Sequence, residues 1–454
     1  MSKVTEQKGI SSSTPSPLKR WVLSRLMTHV ISEKHQDKNR AKHEAKRQKE
    51  KRRHVVEYFH QADDGYSHLA LQVLGRLATQ YNIELVIHLV PALRDANFPE
   101  PDLLQEMSRT DAAQIAPYYG LTFPEAKALP TPHLCELATG ILCLLKTEQF
   151  ADVGVKVSEA LWRGDEAGLK TLAETHGTVW QAELNDKLKA GAERRAKLKH
   201  YAGAMFWYEG EWYWGVDRLY HLEERLKSLG AARLGDQTLV ATRPSIPTRF
   251  PSGAKEMTLE YFPSLRSPYT AMSWDATHRL VRNSGVKLEM RPVLPMVMRG
   301  VPATLEKGFY IFKDAAREAR AIGNHDFGTF FDPIGDPVKQ GYSLYMWAKE
   351  QGKGVAFYGS FLKAAFNEGV KTTKPAGLRR AVEMAGLNWH EAQKHLNDDT
   401  WAETLEENRL AMYRFGSWGV PSYRLLDRDG KEVLGVWGQD RLWLVAQKIS
   451  EVSE

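Results

Sequence analysis

Leu259-Glu260-Tyr261-Phe262-Pro263-Ser264-Leu265-Arg266-Ser267-Pro268-Tyr269 decides the reading of this chain, because the chain carries a second version of it. The counterpart is Val56-Glu57-Tyr58-Phe59-His60-Gln61-Ala62-Asp63-Asp64-Gly65-Tyr66. The match runs without a gap from residues 57–120 onto 260–323, at a constant offset of 203. Fourteen of those 64 positions are identical, against about four expected by chance at average composition. Among them are Arg76/Arg279, Pro99/Pro302, Asp111/Asp314 and Gly120/Gly323. A period near 200 residues is too long for a solenoid unit and indicates a duplicated globular domain.

Working outward, each copy opens with a short strand, 54–59 or 258–262, followed by a helix, 65–80 or 268–283. A second strand, 83–90 or 286–293, completes a βαβ unit. Helix-favouring sequence rich in Ala, Glu and Lys fills 134–195 and 342–415. Each copy then closes with a hairpin and a helix. The hairpins are 204–208/211–214 and 421–426/432–437, turning at Glu209-Gly210 and Asp429-Gly430. This order predicts an α/β chain of two tandem thioredoxin-like domains, each with a helical insertion subdomain, preceded by a basic helical arm. The boundaries are 1–53 for a disordered start and the arm, 54–240 for the first domain, 241–251 for a proline-stiffened linker, and 252–454 for the second domain.

The arm holds the chain's basicity. Residues 1–53 carry 15 Lys and Arg against 5 Asp and Glu, so the remainder is mildly acidic although the whole is formally +6. Leu18, Val22, Leu26 and Val30, with Trp21 beside them, fall on one helical face that is expected to dock on the body. Ten basic residues between Lys34 and Arg53 read as a solvated helix, with nucleic acid or an anionic membrane surface as the alternative use. No aromatic residue interrupts that basic run, which weakens a single-strand binding platform.

Cys135 and Cys143 are the only cysteines, eight apart in an apolar stretch. A redox dithiol wants Cys-x-x-Cys, so both read as buried, inert thiols. No Cys/His cluster has metal-ligand spacing. The first apolar stretch, Trp21-Val22-Leu23, is broken by Ser24 and Arg25, so no signal peptide is expected and the cytoplasm is the default.

In this architecture the loop after the first strand and the loop before the hairpin meet at one site. In the second copy Ser267 precedes a helix whose first residue is Pro268. The partial positive charge of a helix N-terminus stabilises an anion such as a thiolate. The other loop, Gly416-Ser417-Trp418-Gly419-Val420-Pro421-Ser422, ends in a proline that leads into a strand. A cis bond there would leave the Val420 backbone free to pair with an extended ligand.

Ser-Pro-Tyr after Glu-Tyr-Phe, Lys307-Gly308-Phe309-Tyr310 followed by Asp314, Gly-Val-Pro-Ser before the hairpin, and Trp437-Gly438-Gln439-Asp440-Arg441-Leu442 after it occur in that order. Together they resemble the DsbA-like thioredoxin superfamily, in the branch of 2-hydroxychromene-2-carboxylate isomerases and kappa-class glutathione transferases. The resemblance implies glutathione as the bound thiol, no metal, and Ser267 facing the thiol sulfur as the catalytic group. It implies Val420 and Pro421 along the cysteinyl part, Gln439 and Asp440 at the γ-glutamyl end, and Lys307 and Pro268 beside the peptide. The asparagine this family usually carries after the second strand is absent from 295–301, which leaves another thiol or a carboxylate ligand open.

The first copy has Asp64-Gly65-Tyr66 for Ser-Pro-Tyr, Ala204 for Pro421 and Val216 for Gln439. An aspartate opposes a thiolate by like-charge repulsion, so this copy reads as degenerate. The expected function is a thiol-dependent isomerase or transferase acting on an aromatic or unsaturated compound. The alternatives are a non-catalytic thiol- or peptide-binding module, or an interaction protein working through the arm. Because relatives pair identical subunits, a monomer with its domains about a pseudo-twofold axis is expected.

Overall fold

The computed structural model describes residues 15–233, 238–301 and 304–453; of residues 1–17, where disorder is expected, 1–14 lie outside the described residues and Pro17 opens a helix. Two compact units form. One is Asp37–Ser245, the other Ile246–Glu454 together with the segment up to Gln36.

Two helices, α1 (Pro17–Ile31) and α2 (Glu33–Lys49), precede the first strand. The first unit then runs β1 (His54–His60), α3 (Gly65–Gln80), β2 (Ile83–Leu89) and five helices: α4 (Pro101–Ile115), α5 (Pro132–Leu142), α6 (Val155–Arg163), α7 (Glu166–His176) and α8 (Gln181–Lys197). It closes with β3 (Met205–Tyr208), β4 (Glu211–Trp214) and α9 (Gly215–Ser228). The sheet order is β2-β1-β3-β4, with β1 parallel to β2 and antiparallel to β3. Glu209 and Gly210 turn the hairpin with φ of 40° and 87°, the left-handed pair that a two-residue connection of twisted strands requires. The central strand buries Glu57 against Arg194 at 2.5 Å and His88 at 2.8 Å. Desolvation pushes that carboxyl up, but hydrogen bonds from Arg194 and His88 outweigh it and hold it at about 2.

The second unit runs β5 (Thr258–Phe262), α10 (Pro268–Ser284), β6 (Lys287–Met290) and α11 (Leu305–Ala321). Its helical part is α12 (Asp336–Glu350), α13 (Gly354–Phe366), α14 (Pro375–Met384), α15 (Trp389–Ala392) and α16 (Trp401–Arg414). β7 (Ser422–Leu426), β8 (Glu432–Trp437) and α17 (Leu442–Val452) complete it, in sheet order β6-β5-β7-β8. Strand directions repeat those of the first sheet. Here the buried glutamate of the central strand is Glu260, paired with Arg291 and Arg424. A buried aromatic group of Tyr342, Tyr358, Phe361 and Phe366 fills the helical part.

The arm departs from expectation in one respect. α1 docks through its polar side, not its apolar stripe. Arg20 and Ser24 are buried; the Arg20 guanidinium donates to the Asp332 carbonyl at 2.6 Å, and Ser24 Oγ accepts from the Asp332 amide at 3.0 Å. Thr28 Oγ1 accepts from the Phe330 amide at 3.0 Å. Unpaired backbone groups of this loop would be costly if buried, and three polar side chains one helical turn apart satisfy them. Leu18, Trp21, Val22 and Leu26 consequently face outward. Within the first unit, α2 is tied by Arg40 to Glu211 at 2.6 and 2.8 Å, so part of its charge is neutralised.

Candidate functional site

β5 ends at Phe262, and a turn with Ser267 N–H bonded to the Ser264 carbonyl leads into α10. Ser267 is the N-cap: its Oγ accepts from the Thr270 amide at 3.1 Å and donates to the Val420 carbonyl at 3.4 Å. Pro268 fills the first helical turn, where a missing N–H costs nothing. Two clamps hold this turn. Leu265 N–H donates to the Tyr342 hydroxyl, which itself donates to the Val293 carbonyl at 2.8 Å. Arg266 pairs bidentately with Asp332 at 2.8 Å on both arms. Ser267 is 7% exposed.

The facing loop contains the cis Val420–Pro421 peptide. Gly438 N–H donates to the Pro421 carbonyl at 2.9 Å, and Ser422 Oγ donates to the Gly419 carbonyl at 2.7 Å. Gly419 has to be glycine: a Cβ there would lie 2.2 Å from Trp437 Nε1. Trp418 packs on Trp437, ring centres 5.2 Å apart. The Lys307 ammonium sits 5.3 Å from the Trp418 ring centre, a cation–π contact that ties α11 to this loop.

The structure therefore gathers Ser267, Pro268, Val420 and Pro421 directly and joins Lys307 to them through Trp418. Gln439 and Asp440 follow Gly438 in the 3-10 turn before α17. Gln439 is buried, and its carboxamide donates to Glu318 Oε2 at 2.9 Å. The Asp440 carboxylate is half-buried and lies 3.9 Å from Arg441. A second layer supports α10: Tyr269 donates to Asp314 at 2.8 Å, and Asp314 accepts from Arg317 at 2.7 Å. Sequence reasoning missed Tyr342, Trp418, Glu318 and the Arg266–Asp332 pair. Tyr269 and Asp314 enter the sequence reading as identities of the repeat and as parts of the family motifs but not as a pair, and Tyr66 donates to Asp111 at the same 2.8 Å in the first unit.

The first unit differs where chemistry would sit. Asp64 caps α3 and accepts from the Tyr66 and Ser67 amides and from Ser67 Oγ. Burial pushes its carboxyl up to about 7, against those bonds. Ala204, at φ 52°, stands where Pro421 does; its carbonyl accepts from Gly215 N–H at 2.7 Å, the counterpart of the Gly438–Pro421 bond. Asp63, Asp64, Tyr66, Phe98, Gln105 and Trp214 line an open cleft there. Cys135 and Cys143 are half-buried rather than buried as expected; partial burial still pushes their thiols up to about 12 and 11, which leaves neither as a thiolate near neutral pH. Among the described residues no group of three or more His, Cys, Asp or Glu is placed to hold a metal ion.

Residues 258–450 match the family model of the DSBA-like thioredoxin domain. The second half of the chain thus carries a DsbA-like thioredoxin domain. Similar solved structures include a probable DsbA oxidoreductase from Streptomyces coelicolor, at 19% identity over 43% of this chain and 89% of that one, with a TM-score of 0.35. A 2-hydroxychromene-2-carboxylate isomerase is 15% identical over 43% of this chain and 95% of that one, with a TM-score of 0.34. Cytosolic disulfide reductase DsbM from Pseudomonas aeruginosa is 17% identical over 43% and 96%, also with a TM-score of 0.34. No curated protein matches the chain.

Proposed function

We propose that the second domain is a thiol-dependent isomerase or transferase, with glutathione as the thiol and an aromatic or otherwise unsaturated organic compound as substrate. One observation carries this reading. The helix N-terminus that faces the Val420–Pro421 loop is capped by a serine hydroxyl, and residues 246–454 contain no cysteine. A hydroxyl cannot exchange disulfides. By giving up its long bond to the Val420 carbonyl it can donate a hydrogen bond to a sulfur anion and, together with the α10 dipole, lower the pKa of a bound thiol.

The bound thiolate then attacks an unsaturated carbon conjugated to a carbonyl, forming a C–S bond as the π electrons move to the carbonyl oxygen. The former double bond is now single and rotates. Return of the electron pair re-forms the π bond and expels the thiolate, so the thiol is recovered and nothing is oxidised or reduced. In the transferase variant, a proton delivered to the adjacent carbon traps the adduct. Val420 and Pro421 line the cysteinyl part of the thiol, with Lys307 and Pro268 beside the peptide. Asp440 meets the γ-glutamyl amine by charge. Gln439, whose carboxamide donates one N–H to Glu318, supports that turn and meets the γ-glutamyl end beside Asp440. The first domain is a thioredoxin-like copy without this chemistry, since a partly ionised Asp64 would repel a thiolate.

Thermal-shift measurement with glutathione and with its S-methyl derivative tests this reading. A ligand at about 100 times its Kd stabilises by roughly 2.7 kcal/mol. Glutathione should raise the melting temperature and the S-methyl form, which cannot ionise at sulfur, should raise it much less. Equal shifts, or none, would remove the thiolate from the account.

A further inference from the structure

α1 is mounted with its inner and outer faces exchanged relative to an ordinary surface helix. Its buried positions are Arg20, Ser24 and Ile31, whereas Leu18, Trp21, Val22, Leu23 and Leu26 are exposed, from 41% at Leu23 to 71% at Leu18. Leu18, Val22 and Leu26 follow one another at intervals of four and so form a single outward stripe. Surface helices turn such a stripe toward the core, and here the bonds of Arg20, Ser24 and Thr28 to the 330–332 loop prevent it. Cations flank the stripe. Lys19 and Arg25 on α1 are exposed, and the Arg25 guanidinium lies 5.5 Å from the Trp21 ring centre.

We propose that this face of α1 is a peripheral membrane-binding surface for anionic lipid. A bilayer interface uses both features together: Leu, Val and Trp side chains enter the boundary between headgroups and acyl chains, and flanking lysine and arginine meet lipid phosphates. Charge decides against the other occupants. A second copy apposed through this face would bring the exposed Lys19 and Arg25 of the two helices together, which repel. A nucleic-acid backbone would engage the cations and leave the apolar stripe in water. Among the described residues no helix is long and apolar enough to cross a membrane, so the attachment is to the surface of the bilayer.

Co-sedimentation of the full chain with vesicles tests the proposal, using phosphatidylcholine alone and phosphatidylcholine mixed with phosphatidylglycerol. The chain should pellet with the anionic vesicles and remain in solution with the neutral ones. Leu18→Gln, Val22→Gln and Leu26→Gln combined keep a good helix former at exposed positions and should weaken partitioning about tenfold or more. Lys19→Gln or Arg25→Gln should each weaken it about fivefold. Unchanged melting temperatures and circular dichroism would confirm that these variants fold. Three results would overturn the proposal: equal pelleting of the triple variant, no preference for anionic vesicles, or no vesicle binding alongside either retention of duplex DNA or a dimer that the triple variant disperses.

Discussion

Replacing Ser267 by alanine separates a catalytic hydroxyl from a helix cap, because the structure allows the size of each effect to be worked out. As a cap, Oγ satisfies one amide, that of Thr270 at 3.1 Å; losing it costs about 1 kcal/mol of stability. The bond to the Val420 carbonyl at 3.4 Å is long for a hydroxyl donor and adds little. A hydrogen bond to a bound thiolate is charge-assisted and worth roughly 1.5–3 kcal/mol. Its removal should raise the bound thiol's pKa by about 1–2 and slow turnover about ten- to a hundredfold. Ultraviolet absorbance of the thiolate, followed against pH in the glutathione complex, reads the pKa directly, and urea denaturation reads the stability cost. Ser267→Thr retains the hydroxyl and should stay near wild type in both. A Ser267→Ala protein with the wild-type thiol pKa, destabilised by the cap's worth alone, would refute the catalytic role.

Asp440→Asn should weaken glutathione binding at least severalfold and leave the bound thiol's pKa unchanged, as calorimetry and absorbance would show. Asp314→Asn removes a charge-assisted bond to the buried Arg317 guanidinium and should cost about 1.5–3 kcal/mol in a denaturation curve. Gly419→Ala drives a methyl into the Trp437 ring and should cost about 1–3 kcal/mol, with reduced glutathione affinity. Acid titration of the melting temperature separates two carboxyls of opposite sign. Glu57, held at about 2 from an ordinary 4.5, contributes stability present above pH 4.5 that is lost as pH falls toward 2, and Glu57→Gln should flatten that limb. Asp64, raised from 3.8 to about 7, favours the fold only while neutral. Its contribution is lost as pH rises through 7, and Asp64→Asn should remove that loss.

The parts of this molecule legible in the sequence are those written in local pattern. The two Glu-Tyr-Phe strands, the helices that follow them and the hairpins announced by Glu209-Gly210 and Asp429-Gly430 depend on residues close in the chain. The repeat added a longer-range signal: Tyr66 with Asp111 and Tyr269 with Asp314 keep their spacing because each pair makes the same hydrogen bond. What could not be read depends on partners far away. The stripe of Leu18, Val22 and Leu26 reveals an amphipathic helix but not which side docks. That choice is made by loop amides and carbonyls some 300 residues later. Gln439 reads as a ligand contact, but its bond to Glu318, on a helix 121 positions earlier, has no signal in the local sequence. Lys307 stacking on Trp418 and Tyr342 bracing Leu265 are of the same kind.

Isothermal titration of the full chain with glutathione, repeated in buffers of different ionisation enthalpy, tests most directly whether Ser267 holds a thiolate. Binding that ionises the thiol must release a proton near neutral pH, so the observed heat should differ between buffers. The same titration with Ser267→Ala or with the S-methyl derivative should lose that difference. Buffer-independent heat from the wild-type protein, or no binding at all, would contradict the account.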